Sequence, residues 1–368
     1  MGRDTPYLPD EIIQEILKRL PVRSLIRLQC VCKYWKNLIK SPSPSFIDEN
    51  LRHQNPSLLL WQRDIFGPLR SQFRRSGPLL LRSIDSEMHI GKVQSPPLLS
   101  PWWNVCIVGS CNGLVCVGIN ESNMSAFLVW NPATGDARRI PRTKSYELDV
   151  WDCSGFGFST IANDYKIVQV YDEDAKARIS SIEVYSLNTG SWKEIELGPI
   201  KDAIPYGESI TFNGCIFWEG IKVEEEEEGD DDYLIVSFDI AKEVFTFIPG
   251  LREVGNIQLT VYNDKLAILS MTLQNYLHIN LWVFEEGLGS STGRWIPMKK
   301  YIGFPHLDTF RIPITIWRNN EIVCTTLQAD ESRIRFFTKE GETFTIPGYY
   351  VNVFNHVESL VPVGISHC

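Results

Sequence analysis

Residues 128–141 read LVWNPATGDARRIP. The same design returns as IEVYSLNTGSWKEIEL (182–197), IVSFDIAKEVFTFIPG (235–250), LWVFEEGLGSSTGRWIP (281–297) and RFFTKEGETFTIPG (335–348). Each segment alternates apolar and polar residues up to an aromatic, crosses a polar turn that usually contains Gly, and enters a second strand that usually closes on Ile-Pro. The aromatics Trp130, Tyr185, Phe238, Phe284 and Phe337 stand 55, 53, 46 and 53 residues apart. A second hairpin signal precedes each, beginning at Asn112, Asp164, Asn213, Asn263 and Asn319, with spacings of 52, 49, 50 and 56. Two independent phases with nearly one period define a repeat of about 50 residues.

Alternating strands joined by Asn-Gly-type turns predict antiparallel hairpins. About four strands per repeat is the content of a propeller blade, and the period is kelch-like. A lone four-stranded sheet cannot cover its own faces, whereas blades around an axis cover one another and ring closure protects their edges. Five blades are legible. A sixth assembles from Ser57–Ile84, with the C-terminal strand near Tyr349–Val363 closing the ring. Residues 55–368 therefore read as a β-propeller of about six blades, carrying an acidic mobile loop at 223–233.

Residues 1–54 have a different period. In Leu8–Ile39, LPDEIIQEILKRLPVRSLIRLQCVCKYWKNLI, the residues Ile12, Ile13, Ile16, Leu17 and Leu20 make one helical stripe, with Asp10 as the expected cap. Pro21 stops that helix, because the residue before a proline is pushed out of the α region. Val22, Leu25, Ile26 and Leu28 form a second apolar face, and Val31, Cys32, Trp35, Leu38 and Ile39 a third. Ser45-Phe-Ile-Asp48 has capping-box spacing and predicts a fourth short helix ending near Arg52. So small a unit buries only a modest core, and its surplus apolar surface points to a partner.

The residues Leu8-Pro9, Ile16-Leu17, Leu20-Pro21, Ser24-Leu25 and Val31-Cys32-Lys33-x-Trp35-x-x-Leu38-Ile39 resemble an F-box in order and spacing. That resemblance implies docking onto the Skp adaptor of an SCF-type cullin–RING ubiquitin ligase. The adaptor-facing residues it implies are Leu8, Pro9, Ile16, Leu17, Leu20, Pro21, Ser24, Leu25, Val31, Cys32, Trp35 and Leu38, of which Trp35 and Leu38 fit an internal core equally well. NGLVCV…VWNPATGDARRIP, GFGFS…NDYKIVQV, EVYSLNTGSWKEI, FNGCIFWEG and FDIAKEVF resemble the F-box-associated domain of plant F-box proteins. That family includes members similar to the pollen S-locus F-box proteins and others that control immune-receptor turnover. The resemblance implies a non-catalytic receptor for a protein target and leaves the target open.

Composition sets the remaining limits. Hydrophobic residues make up 43% of the 368, enough for a substantial core. Residues 1–54 carry nine Lys/Arg against six Asp/Glu, while the remainder carries 27 against 39. A body that acidic disfavours phosphate backbones, so no nucleic acid is expected as a partner; the charge reads first as maintaining solubility and second as suiting a basic protein target. Nine cysteines, irregularly spaced and without CxxC, indicate neither a disulfide framework nor a zinc site. The N-terminus lacks the apolar core of a signal peptide, and no run approaches the ~20 apolar residues of a membrane span. The chain is expected in the cytoplasm or nucleus, away from membranes.

The other motifs read blandly. EEEEEGDDD (224–232) repels itself and lacks the ligand spacing of a calcium loop. Gly289-Ser-Ser291-Thr-Gly293 matches a nucleophile elbow, but a proline-terminated strand follows where a helix is required. The six histidines show no metal-ligand spacing, so neither a metal nor a cofactor is expected. Arg63, Arg70, Arg74, Arg75 and Arg82, interleaved with Trp61, Phe66 and Phe73, form the basic cluster of the body and read as a blade edge blunted by charge. The recurring Trp130, Tyr185, Trp192, Trp218, Phe238, Trp282 and Trp295 read as blade-to-blade core. Two rival functions are an adaptor-binding module without a degradative role and a β-propeller hydrolase with carboxylates at the ring mouth. The hydrolase leaves the helical head unexplained.

Overall fold

The computed structural model describes residues 8–364, apart from 64–78, 93, 98–103, 122–123, 142–152, 174–177, 223–232, 252–256, 274–276, 287–292, 305–309, 319–320, 329–330, 339–340 and 348–349. The acidic run, Arg70, Arg74, Arg75 and most of the Gly/Ser-rich loop at 289–293 lie outside the described residues.

Four helices form the head: α1 (Asp10–Lys18), α2 (Val22–Leu28), α3 (Lys33–Lys40) and α4 (Pro44–His53). Two boundaries differ from the sequence-based expectation. Pro9, not Asp10, occupies the cap position of α1, and Asp10 becomes the first helical residue, where its charge meets the positive end of the helix dipole. Helix α4 is capped by Ser43, whose Oγ accepts from the Phe46 amide at 3.3 Å, so the Ser45–Asp48 box falls inside the helix. Pro44 explains the earlier start, since proline lacks the amide that would go unpaired at the first helical position.

The body opens with β1 (Ser57–Arg63) and β2 (Leu79–Ile84). Five antiparallel meanders follow in chain order. They are β3 (Asn104–Cys111), β4 (Leu114–Glu121), β5 (Met124–Trp130), β6 (Ala137–Pro141); β7 (Cys153–Ser159), β8 (Asp164–Glu173), β9 (Arg178–Ser186), β10 (Ser191–Ile195); and β11 (Ala203–Phe212), β12 (Cys215–Lys222), β13 (Tyr233–Asp239), β14 (Val244–Pro249). The last two are β15 (Ile257–Tyr262), β16 (Lys265–Leu273), β17 (Leu277–Glu285), β18 (Arg294–Phe304); and β19 (Phe310–Trp317), β20 (Glu321–Gln328), β21 (Glu331–Thr338), β22 (Gly341–Pro347). The final strand, β23 (Tyr350–His356), returns to pair with β1, giving a sixth sheet of order β2-β1-β23 and closing the six-bladed ring. Bridges Leu81–Gln94 and Ile84–Ile90 extend that blade outward.

The turn chemistry behind the repeat is explicit. Asn112, Asn163, Asn213 and Asn263 all have φ of 47–48°, the left-handed region that Asn tolerates better than most residues. Gly113 and Gly214 follow with positive φ, as tight hairpins require. In the second turn of three blades the left-handed position falls at Gly135, Gly190 and Glu243, whose amides donate to the carbonyls of Asn131, Ser186 and Asp239.

The aromatics pack between blades as expected for Trp130, Tyr185, Trp218 and Phe238, which are buried, while Trp192, Trp282 and Trp295 are half-buried. Trp218 of β12 donates its Nε1–H to the Ser154 carbonyl of β7 at 3.1 Å. Trp61 of β1 is likewise buried between blades.

Candidate docking surface on the helical head

The head splits its apolar residues into two sets. Leu17, Val22, Leu25, Ile39 and Phe46 form its interior, with Ile13, Leu20, Ile26, Leu28, Trp35 and Leu38 packed half-buried around them. Leu8, Ile12, Ile16 and Val31 remain 52%, 47%, 48% and 55% exposed. Exposing four large aliphatic side chains on so small a unit is what a docking surface does. Tyr34 joins them, its hydroxyl accepting from Gln14 Nε2 at 2.9 Å across α1 and α3.

This division separates the twelve residues singled out from the sequence. Leu8, Pro9, Ile16, Pro21, Val31 and Cys32 are exposed; Leu20, Ser24, Trp35 and Leu38 are half-buried; Leu17 and Leu25 have no accessible surface. Val31 and Cys32 precede α3 rather than lying on it, and the Cys32 Sγ caps that helix by accepting from the Trp35 amide at 3.4 Å.

Two residues that sequence reasoning passed over set the shape of the corner between α1 and α2. Asn50 of α4, almost fully buried, donates from Nδ2 to the carbonyls of Lys18 and Leu20 at 2.8 and 3.0 Å. Gln54 donates to the Leu20 carbonyl at 3.1 Å and accepts from the Val22 amide at 3.2 Å. Between them they pair backbone groups that Pro21 leaves without helical partners. An Asn and a Gln one helical turn apart was the available signal, but their targets lie some 30 residues upstream.

Residues 6–46 match the F-box domain family, and residues 82–347 match the family described as the F-box associated beta propeller domain. The chain belongs to the plant F-box proteins. Among its relatives in Arabidopsis thaliana, F-box protein At3g07870 is 26% identical over 347 residues, covering 87% of this chain and 79% of its own length. F-box/kelch-repeat protein At3g23880 is 25% identical over 320 residues, covering 84% and 82%. F-box/kelch-repeat protein At3g17530 is 27% identical over 286 residues, covering 72% and 69%.

The body of this F-box protein offers a cavity along the ring axis, of about 130 Å³. Its walls include Ser110, Ser209, Thr211, Thr260, Thr315 and Asn355, from five of the six inner strands. Thr260 and Thr315 share a hydrogen bond at 3.3 Å, and Asn355 Nδ2 donates to Thr315 Oγ1 at 3.2 Å. That volume is well below the roughly 300–1,000 Å³ of a small-molecule site and is suited to a few waters. On β12, opposite Tyr206 of β11, burial pushes the Glu219 carboxyl up to about 7, with a hydrogen bond with Tyr206 opposing the shift and the nearby Glu208 charge adding to it. Among the described residues no group of three His, Cys, Asp or Glu is placed to hold a metal ion.

The two ends of the ring differ. Cys111, Ser159, Phe212, Tyr262, Trp317 and His356 are the C-terminal residues of the inner strands, and cross-strand contacts such as Thr211 Oγ1 to the Phe156 carbonyl (2.6 Å) place those ends at one level. The head sits against that end, over the Asn112-Gly113 turn. Lys222 and Tyr233, which border the acidic run, lie at the opposite end of β12 and β13.

Proposed function

We propose that this F-box protein is the target-recognition subunit of an SCF-type ubiquitin ligase. The head docks a Skp-type adaptor and through it a cullin and a RING subunit; the propeller presents a protein target for ubiquitination. The observation that carries this reading is the row Leu8, Ile12, Ile16 and Val31, exposed on a head whose other large aliphatic residues are covered. Docking an amphipathic helical face into an apolar groove buries such a row and leaves its charged rim in water.

The chain needs no catalytic residue in this role. Holding a target beside a charged conjugating enzyme raises the local concentration of its lysines, which is catalysis by proximity. The target is assigned to the end of the ring away from the head, where Lys222 and Tyr233 lie, and the excess of acidic residues after residue 54 favours a basic one. The work belongs in the cytoplasm or nucleus.

The test is co-purification of the full chain with a recombinant Skp-type adaptor, beside a Leu8→Asp, Val31→Asp variant. Both positions are exposed, so the variant is expected to fold and to lose the adaptor. Failure of the wild-type chain to associate, or equal association of the variant, overturns the reading.

A further inference from the structure

We infer that the C-terminal segment 357–363 is a clamp that completes the core of the helical head and fixes the direction of its exposed apolar row relative to the ring. Its consequence for target placement rests on the ligase reading; the clamp itself does not.

The head joins the ring covalently through only Gln54–Pro56, between the end of α4 and the start of β1. Such a short tether limits distance but leaves the head able to pivot. A second attachment comes from the far end of the chain. After β23, Glu358 pairs with Arg23 of α2, with Oε1 and Nε 2.7 Å apart. Leu360, only 4% exposed, enters the head's own interior beside Leu17, Val22, Leu25, Ile39 and Phe46. The next residue, Val361, points the other way, and with Val363 it packs among Val108, Leu114, Phe127 and Phe156 of the first two meanders. Alternation of this kind is what extended backbone imposes, and here it places one short segment in two cores at once.

The segment is seated as well as packed. Asn131, fully buried, donates from Nδ2 to the carbonyls of Ser359 and Val361 at 3.0 and 2.9 Å. Its Oδ1 meanwhile accepts from the Ala133 and Thr134 amides, holding the turn whose Ala133 touches the head. Ser359 Oγ donates to the Asn112 carbonyl at 2.7 Å. Gly113 lies directly beneath, and a Cβ there would stand 2.2 Å from Ser359 Oγ and 2.8 Å from the Val357 carbonyl oxygen. Ile47 of α4 also packs against the blade cluster that takes Val361. Head and ring thus share a continuous apolar contact through the clamp. A receptor whose target must stay within reach of a conjugating enzyme gains from such a mount, because effective concentration falls when the geometry wanders.

The experiment uses the full chain alone, so its outcome is independent of adaptor binding. Hydrogen–deuterium exchange is followed in α1, α2 and α4 and, as an internal reference, in β4, β8 and β12, together with the maximum dimension from small-angle scattering. Leu360→Asp puts a charge into the shared core and is expected to speed head exchange at least tenfold, leave the reference strands unchanged and lengthen the particle. Leu360→Met, which keeps volume and polarity, is expected to match the wild type. Where the reference strands also lose protection, the charge pair decides: Glu358→Arg speeds head exchange about threefold, and adding Arg23→Glu restores it. Head exchange and particle length unchanged in Leu360→Asp, or a Glu358→Arg effect that Arg23→Glu does not restore, overturns the clamp.

Discussion

Ile16 and Leu17 are adjacent on α1, chemically alike, and opposite in environment, with exposures of 48% and 0%. Truncating each to alanine should therefore separate docking from folding. Leu17→Ala empties part of a closed core, and such substitutions cost about 2–5 kcal/mol, the higher values where the site cannot collapse. Its neighbours Val22, Leu25, Ile39, Phe46 and Leu360 come from four helices or segments braced against the ring, so little collapse is expected. Ile16 has about half of its surface covered. Complete burial of such a side chain contributes roughly 1.5–3 kcal/mol, so folding loses about 1 kcal/mol in Ile16→Ala and docking loses a similar amount, about fivefold in Kd. Ellipticity at 222 nm during urea titration reports on the head, which holds the α-helices among the described residues. Calorimetric titration with the adaptor reports on docking. The expected pattern is a large fall in helix stability for Leu17→Ala and a modest one for Ile16→Ala, with weaker affinity for Ile16→Ala at concentrations of urea where both remain folded. If Ile16→Ala melts the head as far as Leu17→Ala, or leaves the affinity unchanged, the assignment of one side to the core and the other to the partner is wrong.

Three further outcomes test other parts of the structure. A Cβ at Gly155 would lie 2.3 Å from Cζ2 of the fully buried Trp218, so Gly155→Ala should cost about 1–3 kcal/mol in urea unfolding, and Trp218→Leu in the same chain should recover part of that loss. Burial pushes His356 down to about 4, with the Arg23 charge adding to the shift. The unfolded chain then binds a proton near pH 6.5 that the folded chain refuses, so stability falls as pH drops from about 6.5 towards 4, by on the order of 3 kcal/mol. His356→Gln should lose less between pH 7 and pH 4.5 than the wild type does. Glu219, raised to about 7, has the opposite sign: the folded chain keeps its proton longer, and stability is lost as pH rises from about 4.5 through 7. Glu219→Gln should accordingly raise the thermal midpoint at pH 8 and leave it nearly unchanged at pH 5.

Local chemistry explains why so much of the fold was legible. A left-handed Asn at a tight turn, followed by Gly or Asp, is a property of the dipeptide, and repeating it every fifty residues announces blades before any contact is known. The sixth blade was legible for a related reason, since the strands of Ser57–Ile84 need a partner and only the C-terminal strand is left to supply one. The helix starts were displaced because Pro9 and Ser43-Pro44 compete with nearby acidic and hydroxyl residues for the same role, and proline's fixed geometry wins. His356 read as an ordinary lone histidine; its burial beside Ser110, whose Oγ lies 3.2 Å from Nδ1, depends on strands some 250 residues apart.

The amino-acid sequence by itself determined the helical head, the blade period and the apolar surplus at Leu8–Ile39, because periodicity and turn propensity act within a few residues. Which member of that surplus is exposed depends on rotation of each helix about its axis, and contacts at a distance set that rotation. Asn131 shows the difference most directly. In sequence it is the first residue of one turn among five similar ones, and in the folded chain it holds the segment that delivers Leu360 into the head. Only tertiary structure decides such a role, since the two ends of the chain meet there only after the ring has closed.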